Sequence, residues 1–354
     1  MHDKRIGAAI LIIGLVIISA CSGKGIGSSD SSSASSTLPI SESFFIFDTV
    51  VSVRVYDERM SEAHFAQIKK LLERINETMN RFEEGSEVAS INQAAGQAAV
   101  QVSQETFHVI KQAKQYAERS GGKFDPTIGP LTDLWAIGNG GSRVPDRAAI
   151  EQARQLVAYN MLELDEDRTS VKLAEAGMTL DLGAIAKGYA GDVVAEYLQK
   201  QGFSSAIIDL GGNVVALGNK PEHAVWTIGI QSPEEKRGAH LGTIAVRNKT
   251  VVTSGIYERY FIDQEQIYHH IMDPATGFPV SNELASVTII TDKSIQADAL
   301  STAVFVQGLQ EGLAFAEALD HVEAIFVTKD KKVHLTSGIK DIFKLTSEDY
   351  SLAE

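Results

Sequence analysis

Three stretches of this 354-residue chain hold residues whose types and spacing could do chemistry. In ADALSTAVF, residues 297–305, Asp298 and Thr302 are four apart. On a helix they share one face, so a carboxylate and a hydroxyl reach one point. Hard oxygen donors suit Mg²⁺, which keeps waters and often shares its shell with phosphates. An aspartate near a helix start is also an ordinary favourable partner of the helix dipole. In DLGAIAKG, residues 181–188, a strand end, a turn and a helix start follow one another, with small residues and one lysine. Exposed backbone N–H groups at such a junction can hold an anion, and Lys187 adds a point charge. A helix packed tightly on a sheet would need the same small residues. Neither a GxxxxGK[ST] loop nor a GxGxxG after a strand is present, so a nucleotide here would not be held in Walker or Rossmann fashion.

The third stretch is IYHHIMDPATGFP, residues 267–279. Adjacent strand residues point to opposite faces, so His269 and His270 cannot easily grip one metal. A zinc site would want further His or Cys ligands, and there is no HExxH. One histidine, with Asp273 a turn later, could make a base and its orienting partner. The alternative is a strand that ends at an Asp-Pro turn.

Periodicity gives the elements that must position these groups. FDTVVSVRVYD (47–57) alternates as a strand. SEAHFAQIKKLLERINETMNRF (61–82) sets Phe65, Ile68, Leu72, Ile75 and Met79 at helical spacing, with Ser61 as N-cap. Residues 83–92 read as a polar loop with a short turn. Helices are expected over 103–122, ending at Gly-Gly, and over 146–158. FDPTIGPLTDLW (124–135) looks too rich in Pro and Gly for a regular element. Residues 178–202 read as strand, Gly turn and helix. Strands follow at 204–213, 226–231, 242–248, 250–255 and 285–292, and a hairpin over 258–272 continues the sheet. Helices at 294–308 and 312–320 precede a hairpin turning at Lys329-Asp330. Many strands follow one another directly, which predicts an α+β fold with mostly antiparallel sheet and flanking helices. No repeat of fixed period is present.

The N-terminus has a different character. Lys4 and Arg5 precede an apolar run from Ile6 to Ala20, too short to span a bilayer. The run ends in ISAC, and Cys21 is the only cysteine. This resembles the bacterial lipoprotein pattern, with residues 1–20 a signal peptide and Cys21 lipidated. Residues 21–40 are a Ser/Gly-rich tether, and 41–354 form the globular domain. The expected location is extracytoplasmic, lipid-anchored to the bacterial cell membrane. Net charge is −14, and −15 without residues 1–20. An acidic chain argues against nucleic acid as a partner.

Together these residues resemble the ApbE-type FAD:protein FMN transferases. The match runs from about Phe44 to the last strands, with its pieces in family order: MNRFEEGSEVASIN, FDPTIGPL, DLGAIAKGYA, DLGGN, TSGIYERYF, HHIMDPATGFP and ADALSTAVF. The resemblance implies an ApbE-like, T-fold-related architecture and a transfer of FMN from FAD to a Thr or Ser hydroxyl of an acceptor protein. A phosphoester forms and AMP leaves. It implies Mg²⁺ held by Asp298, Thr302 and the Ala184 carbonyl, with Ser301 a further contact. It places Asp181 and Lys187 on the FAD and Phe82 where the family often has Tyr. Phe124, Asp125 and Pro126 would line the nucleotide pocket, backbone around Met272 would touch the flavin, and Ser254, Gly255 and Tyr257 would be further contacts. His270 is the candidate base, with His269 the fallback. The implied acceptor is a membrane electron-transfer subunit. The competing readings are FAD hydrolysis to FMN and AMP at the same site, and a non-catalytic flavin-binding lipoprotein.

Overall fold

The computed structural model describes residues 38–353 except Ser142, Lys236 and Arg237. The expected signal peptide, Cys21 and nearly all of the expected tether lie outside the described residues. Among those described, no helix is long and apolar enough to cross a membrane.

The centre is a nine-stranded sheet. Its strands are β1 (Ile40–Ile46), β2 (Thr49–Val55), β3 (Ser205–Leu210), β4 (Asn213–Gly218), β5 (Lys249–Gly255), β6 (Leu284–Thr291), β7 (Glu323–Thr328), β8 (Lys332–Leu335) and β9 (Ser351–Leu352). Their order across the sheet is their order in the chain. Every neighbouring pair is antiparallel except the last, β8 with β9. Side chains alternate between faces along a strand. Ala324 and Phe326 of β7 enter the large core, while Ile325 and Val327 enter a smaller one behind the sheet. Strand β6 is buried along its whole length, as a strand covered on both faces must be.

Of the helices among the described residues, six pack on the large core and the fourth and fifth in a small third cluster. They are α1 (Glu62–Met79), α2 (Glu87–Gln93), α3 (Gln104–Arg119), α4 (Gly129–Trp135), α5 (Arg147–Gln155), α6 (Ala186–Lys200), α7 (Ser294–Gln307) and α8 (Leu309–Glu317). All five α1 residues at helical spacing are buried. Helix α7 is apolar nearly all round and is accordingly buried on most sides. Its start is fixed from outside, because Asp192 of α6 accepts the N–H groups of Ser294 and Ile295 at 2.9 and 3.0 Å. Behind the sheet lies a three-stranded sheet of Trp226–Gln231, His240–Val246 and Phe343–Leu345.

Several local expectations are corrected. The supposed loop over 83–92 contains α2, because Ser86 caps it through the Ala89 N–H at 2.9 Å. Residues 129–135 form α4 despite Pro130, which sits in the first turn where its missing N–H costs nothing. The expected strand before the Asp181 turn is only a bridge from Thr179 to Ile128. Its backbone is partnered by other means: Asn92 Oδ1 accepts from Leu180 N at 2.7 Å, and the Pro126 carbonyl from Asp181 N at 2.7 Å. The hairpin Tyr260–Asp263 and Gln266–His269 is a separate two-stranded ribbon and does not continue the main sheet. Strand β1 and a small sheet of Val100–Gln101, Leu162–Asp165 and Ser170–Leu173 were not anticipated.

Candidate active site

Helices α6 and α7 meet at Gly188. Its N–H donates to Asp298 Oδ2 at 2.8 Å, and a methyl group at 188 would collide with the Ser294 carbonyl and come 2.7 Å from Asp298 Cβ. Only glycine allows this approach. The Gly188 N–H is therefore diverted from the Ala184 carbonyl four residues back. Asp298 is 5% exposed, and its Oδ1 faces the Lys187 ammonium at 3.9 Å. That ammonium also donates to the Gly183 carbonyl at 3.0 Å. One turn on, Thr302 is half-buried. Among the described residues no hydrogen bond occupies Asp298 Oδ1, the Thr302 hydroxyl or the Ala184 carbonyl. These are all hard oxygen donors, and an ammonium already sits beside the carboxylate, so the junction fits a small hard cation such as Mg²⁺. Among the described residues no three His, Cys, Asp or Glu side chains gather, so a cation here would rest on one carboxylate and neutral oxygens.

Ser301 is directed elsewhere. It is 0% exposed, donates to the Asp298 carbonyl at 2.8 Å and meets Ser254 Oγ at 2.8 Å. It therefore fastens α7 to β5. Ser254 is the other half of that link. The Tyr257 ring lies over Gly255, where any Cβ would strike it.

Both carboxylate oxygens of Asp181 are engaged. Asp181 Oδ1 accepts from Gly183 N at 2.8 Å, and Oδ2 lies 3.1 Å from Arg81 Nε. The segments 124–129 and 178–181 run side by side, which brings two separate motifs together. Gly129 permits this, since a Cβ there would lie 2.5 Å from Thr179 Cβ. Phe124, Asp125 and Pro126 are all buried. Phe124 belongs to the large core. Asp125 accepts from the Thr127 N–H and hydroxyl at 2.8 and 2.7 Å and from Tyr159 N at 3.0 Å. Burial pushes its carboxyl up, against those bonds. All three side chains are thus packed into the protein beside the Asp181 turn. Phe82 is the opposite case: 67% exposed, with one face on the Arg81 guanidinium at 4.4 Å.

The two histidines diverge, as strand geometry requires. His269 is 3% exposed. Its Nε2–H donates to the Val280 carbonyl at 2.9 Å and its Nδ1 accepts from Ile271 N at 3.3 Å. Both nitrogens are spent, which removes it as the fallback base. Burial pushes it down to about 4. His270 directs Nδ1 at the Arg259 carbonyl, 3.3 Å away. A carbonyl only accepts, so Nδ1 carries the proton and Nε2 presents a lone pair. Crowding by the protein, then the charges of Arg259, His269 and Lys187, push it down to about 3. Asp273 does not orient it. That carboxylate accepts from Ala275 N and the Thr276 hydroxyl, closing the Asp-Pro turn. Met272 is buried among Leu131, Trp135 and Ile150, and its backbone bridges Pro279. Sequence reading overlooked Arg81, Asn92 and Arg259. Arg81 and Asn92 lay inside the MNRFEEGSEVASIN stretch, and Arg81 fell within the helix expected to run to Phe82, which ends at Met79.

The ApbE family model matches residues 47–326. An FAD:protein FMN transferase of Klebsiella pneumoniae is 40% identical over 299 residues, 84% of this chain and 92% of that protein. One of Treponema pallidum is 36% identical over 312 residues, 84% of this chain and 86% of that protein. The crystal structure of the ApbE protein of Thermotoga maritima superposes with a TM-score of 0.78 at 32% identity, covering 85% of this chain and 97% of the other. The flavin transferase ApbE of Vibrio cholerae gives 0.77 at 28%, covering 86% and 99%. The mixed architecture, the order of the motifs and these likenesses agree, and the chain belongs to the ApbE family.

Proposed function

We propose that this enzyme, a flavin transferase like its relatives, moves FMN from FAD onto a Ser or Thr hydroxyl of an acceptor protein with the help of Mg²⁺. The observation that carries the reading is the α6–α7 junction. Asp298, Thr302 and the Ala184 carbonyl offer free oxygens there beside Lys187, with His270 close enough to feel the Lys187 charge. Asp298, Thr302 and the Ala184 carbonyl would hold the cation, which when bound supplies charge neutralisation on the phosphate oxygens. Lys187 adds a second positive charge to the diphosphate. Phe82 offers a flat face to the adenine, and Asp181 a carboxylate beside it. His270 Nε2 takes the acceptor's hydroxyl proton as its oxygen bonds to the FMN phosphorus. The bond from that phosphorus to the bridging oxygen breaks, and AMP departs with the bridging oxygen. The acceptor fits the class of membrane electron-transfer subunits, and lipidation of Cys21 would hold the enzyme at that membrane, facing outward from the cytoplasm.

The test is direct. The full chain is incubated with FAD, Mg²⁺ and a Ser/Thr-bearing acceptor, and a covalent fluorescent product is expected in step with AMP. FMN and AMP without an adduct would indicate hydrolysis instead. Tight FAD binding with no turnover would indicate a carrier. A Cys21→Ser chain that stays in the membrane fraction after expression would overturn the lipid anchor.

A further inference from the structure

We propose that Arg81 is a positioning residue for the nucleotide end of the site, fixing Phe82 and Asp181 in place before the ligand arrives. This rests on the reading of those two as FAD contacts. Arg81 follows directly on α1, whose last turn gives it a fixed point of departure: Asn80 Oδ1 accepts the Phe82 N–H at 3.0 Å. Its side chain is 6% exposed. A guanidinium so buried must be paired, and this one spans two carboxylates from distant segments. Nη1 donates to Asp133 Oδ2 at 3.1 Å, and Nη2 to Asp133 Oδ1. Nε faces Asp181 Oδ2 at 3.1 Å, at an angle too bent for a hydrogen bond, so that contact is an ion pair. Thr132 Oγ1 lies 3.4 Å from both Nη2 and Asp181 Oδ2 and completes the knot.

The same guanidinium then lies flat enough on Phe82 to bring its carbon within 4.4 Å of the ring centre. An exposed phenyl ring on a loop would otherwise sample several rotamers. The cation covers one face and leaves the other to solvent, where a purine could stack. A Tyr at this place could have been oriented by its hydroxyl. In this chain the ring has no hydroxyl, and the arginine beside it does the orienting. Asp181 is held in the same way, between Arg81 on Oδ2 and the Gly183 N–H on Oδ1. One residue thus sets both groups that would meet the adenylate half of FAD.

The experiment measures AMP and FMN binding separately by calorimetry, together with KM and kcat for FAD, for Arg81→Met, Arg81→Lys, Phe82→Ala and Asp181→Asn. Arg81→Met should weaken AMP and raise KM about tenfold, the loss expected when a cation–π and an ion-pair constraint go together. FMN binding and kcat should stay within about twofold, and Arg81→Lys should recover part of the loss by restoring the charge without the fork. Equal loss of AMP and FMN binding, or a fall in kcat alone, would overturn the proposal in favour of a general structural role. If Phe82→Ala and Asp181→Asn weaken AMP binding but Arg81→Met does not, the proposal alone falls. If neither of those two matters, the reading of the nucleotide end falls first.

Discussion

Gly188 and Asp298 are joined by a 2.8 Å hydrogen bond that links α6 to α7 across 110 residues of chain. It needs a bare backbone on one side and a buried carboxylate on the other. Gly188→Ala should therefore be costly twice over. Overpacking against the Ser294 carbonyl should lower stability by about 2 kcal/mol, read in a urea melt. Displacement of Asp298 should lower AMP release from FAD as well. A variant with the parent's midpoint and rate would show that the helices can part at no cost.

Asp298→Asn separates shape from charge. The amide oxygen can still accept from Gly188, so the melt should shift little. Turnover should fall about a hundredfold or more, the usual scale for losing one electrostatic contact to a reacting phosphate. A Mg²⁺ titration that saturates at the parent's concentration with the parent's rate would refute the cation site.

His270→Gln should reduce kcat by about a hundredfold or more while FAD affinity holds, since the lone pair at Nε2 is lost but the ring's place is filled. Because the free-enzyme imidazole is pushed down to about 3, it stays neutral through the ordinary range. The acid limb of kcat/KM should then lie well below 6.5. A limb near 6.5 that vanishes in the variant would mean that the ring is solvated and unperturbed.

His269 should make the fold acid-sensitive. Its ring titrates near 6.5 when unfolded and is held near 4 when folded. Between those values the unfolded state binds the extra proton, so stability is complete above about 6.5 and declines as pH falls towards 4. From pH 6.5 to 5 the loss should be about 2 kcal/mol, and His269→Gln should flatten that slope. Parallel slopes for the two proteins would rule the residue out as the cause.

What could be seen in the sequence follows from how local each cause is. Helix α1 was legible because burial on one side leaves a period in the residues, and strand β6 because burial on both leaves a short apolar run. The α+β class followed from strands in direct succession. Helix α4 was not legible, since Gly129-Pro130 looks like a break until the neighbouring Thr179 backbone is in place. The strand before Asp181 was overestimated because its partners are a side chain, Asn92, and a loop carbonyl, Pro126, which no period records. At the site, the spacing of Asp298 and Thr302 gave their common helix face and the resemblance gave the role proposed for them, while the split of the two histidines followed from strand alternation. Arg81 did not, because its meaning lies in two carboxylates 52 and about 100 positions away.

The strand order has a consequence for how the molecule comes together. Each strand of the sheet lies beside its predecessor, but only β1–β2, β3–β4 and β7–β8 are joined by tight hairpins, so the rest of the sheet forms only as longer connections close. The proposed site residues lie mainly on three of the four longest excursions between strands: 56–204 with Arg81, Phe82, Asp181 and Lys187, 256–283 with His270, and 292–322 with Asp298 and Thr302. No excursion holds a working set alone. The sheet can therefore be complete while the enzyme is still inert, and competence arises only when α6 closes on α7. A ligand that spans the excursions would select that last state and act as a clasp on the finished molecule.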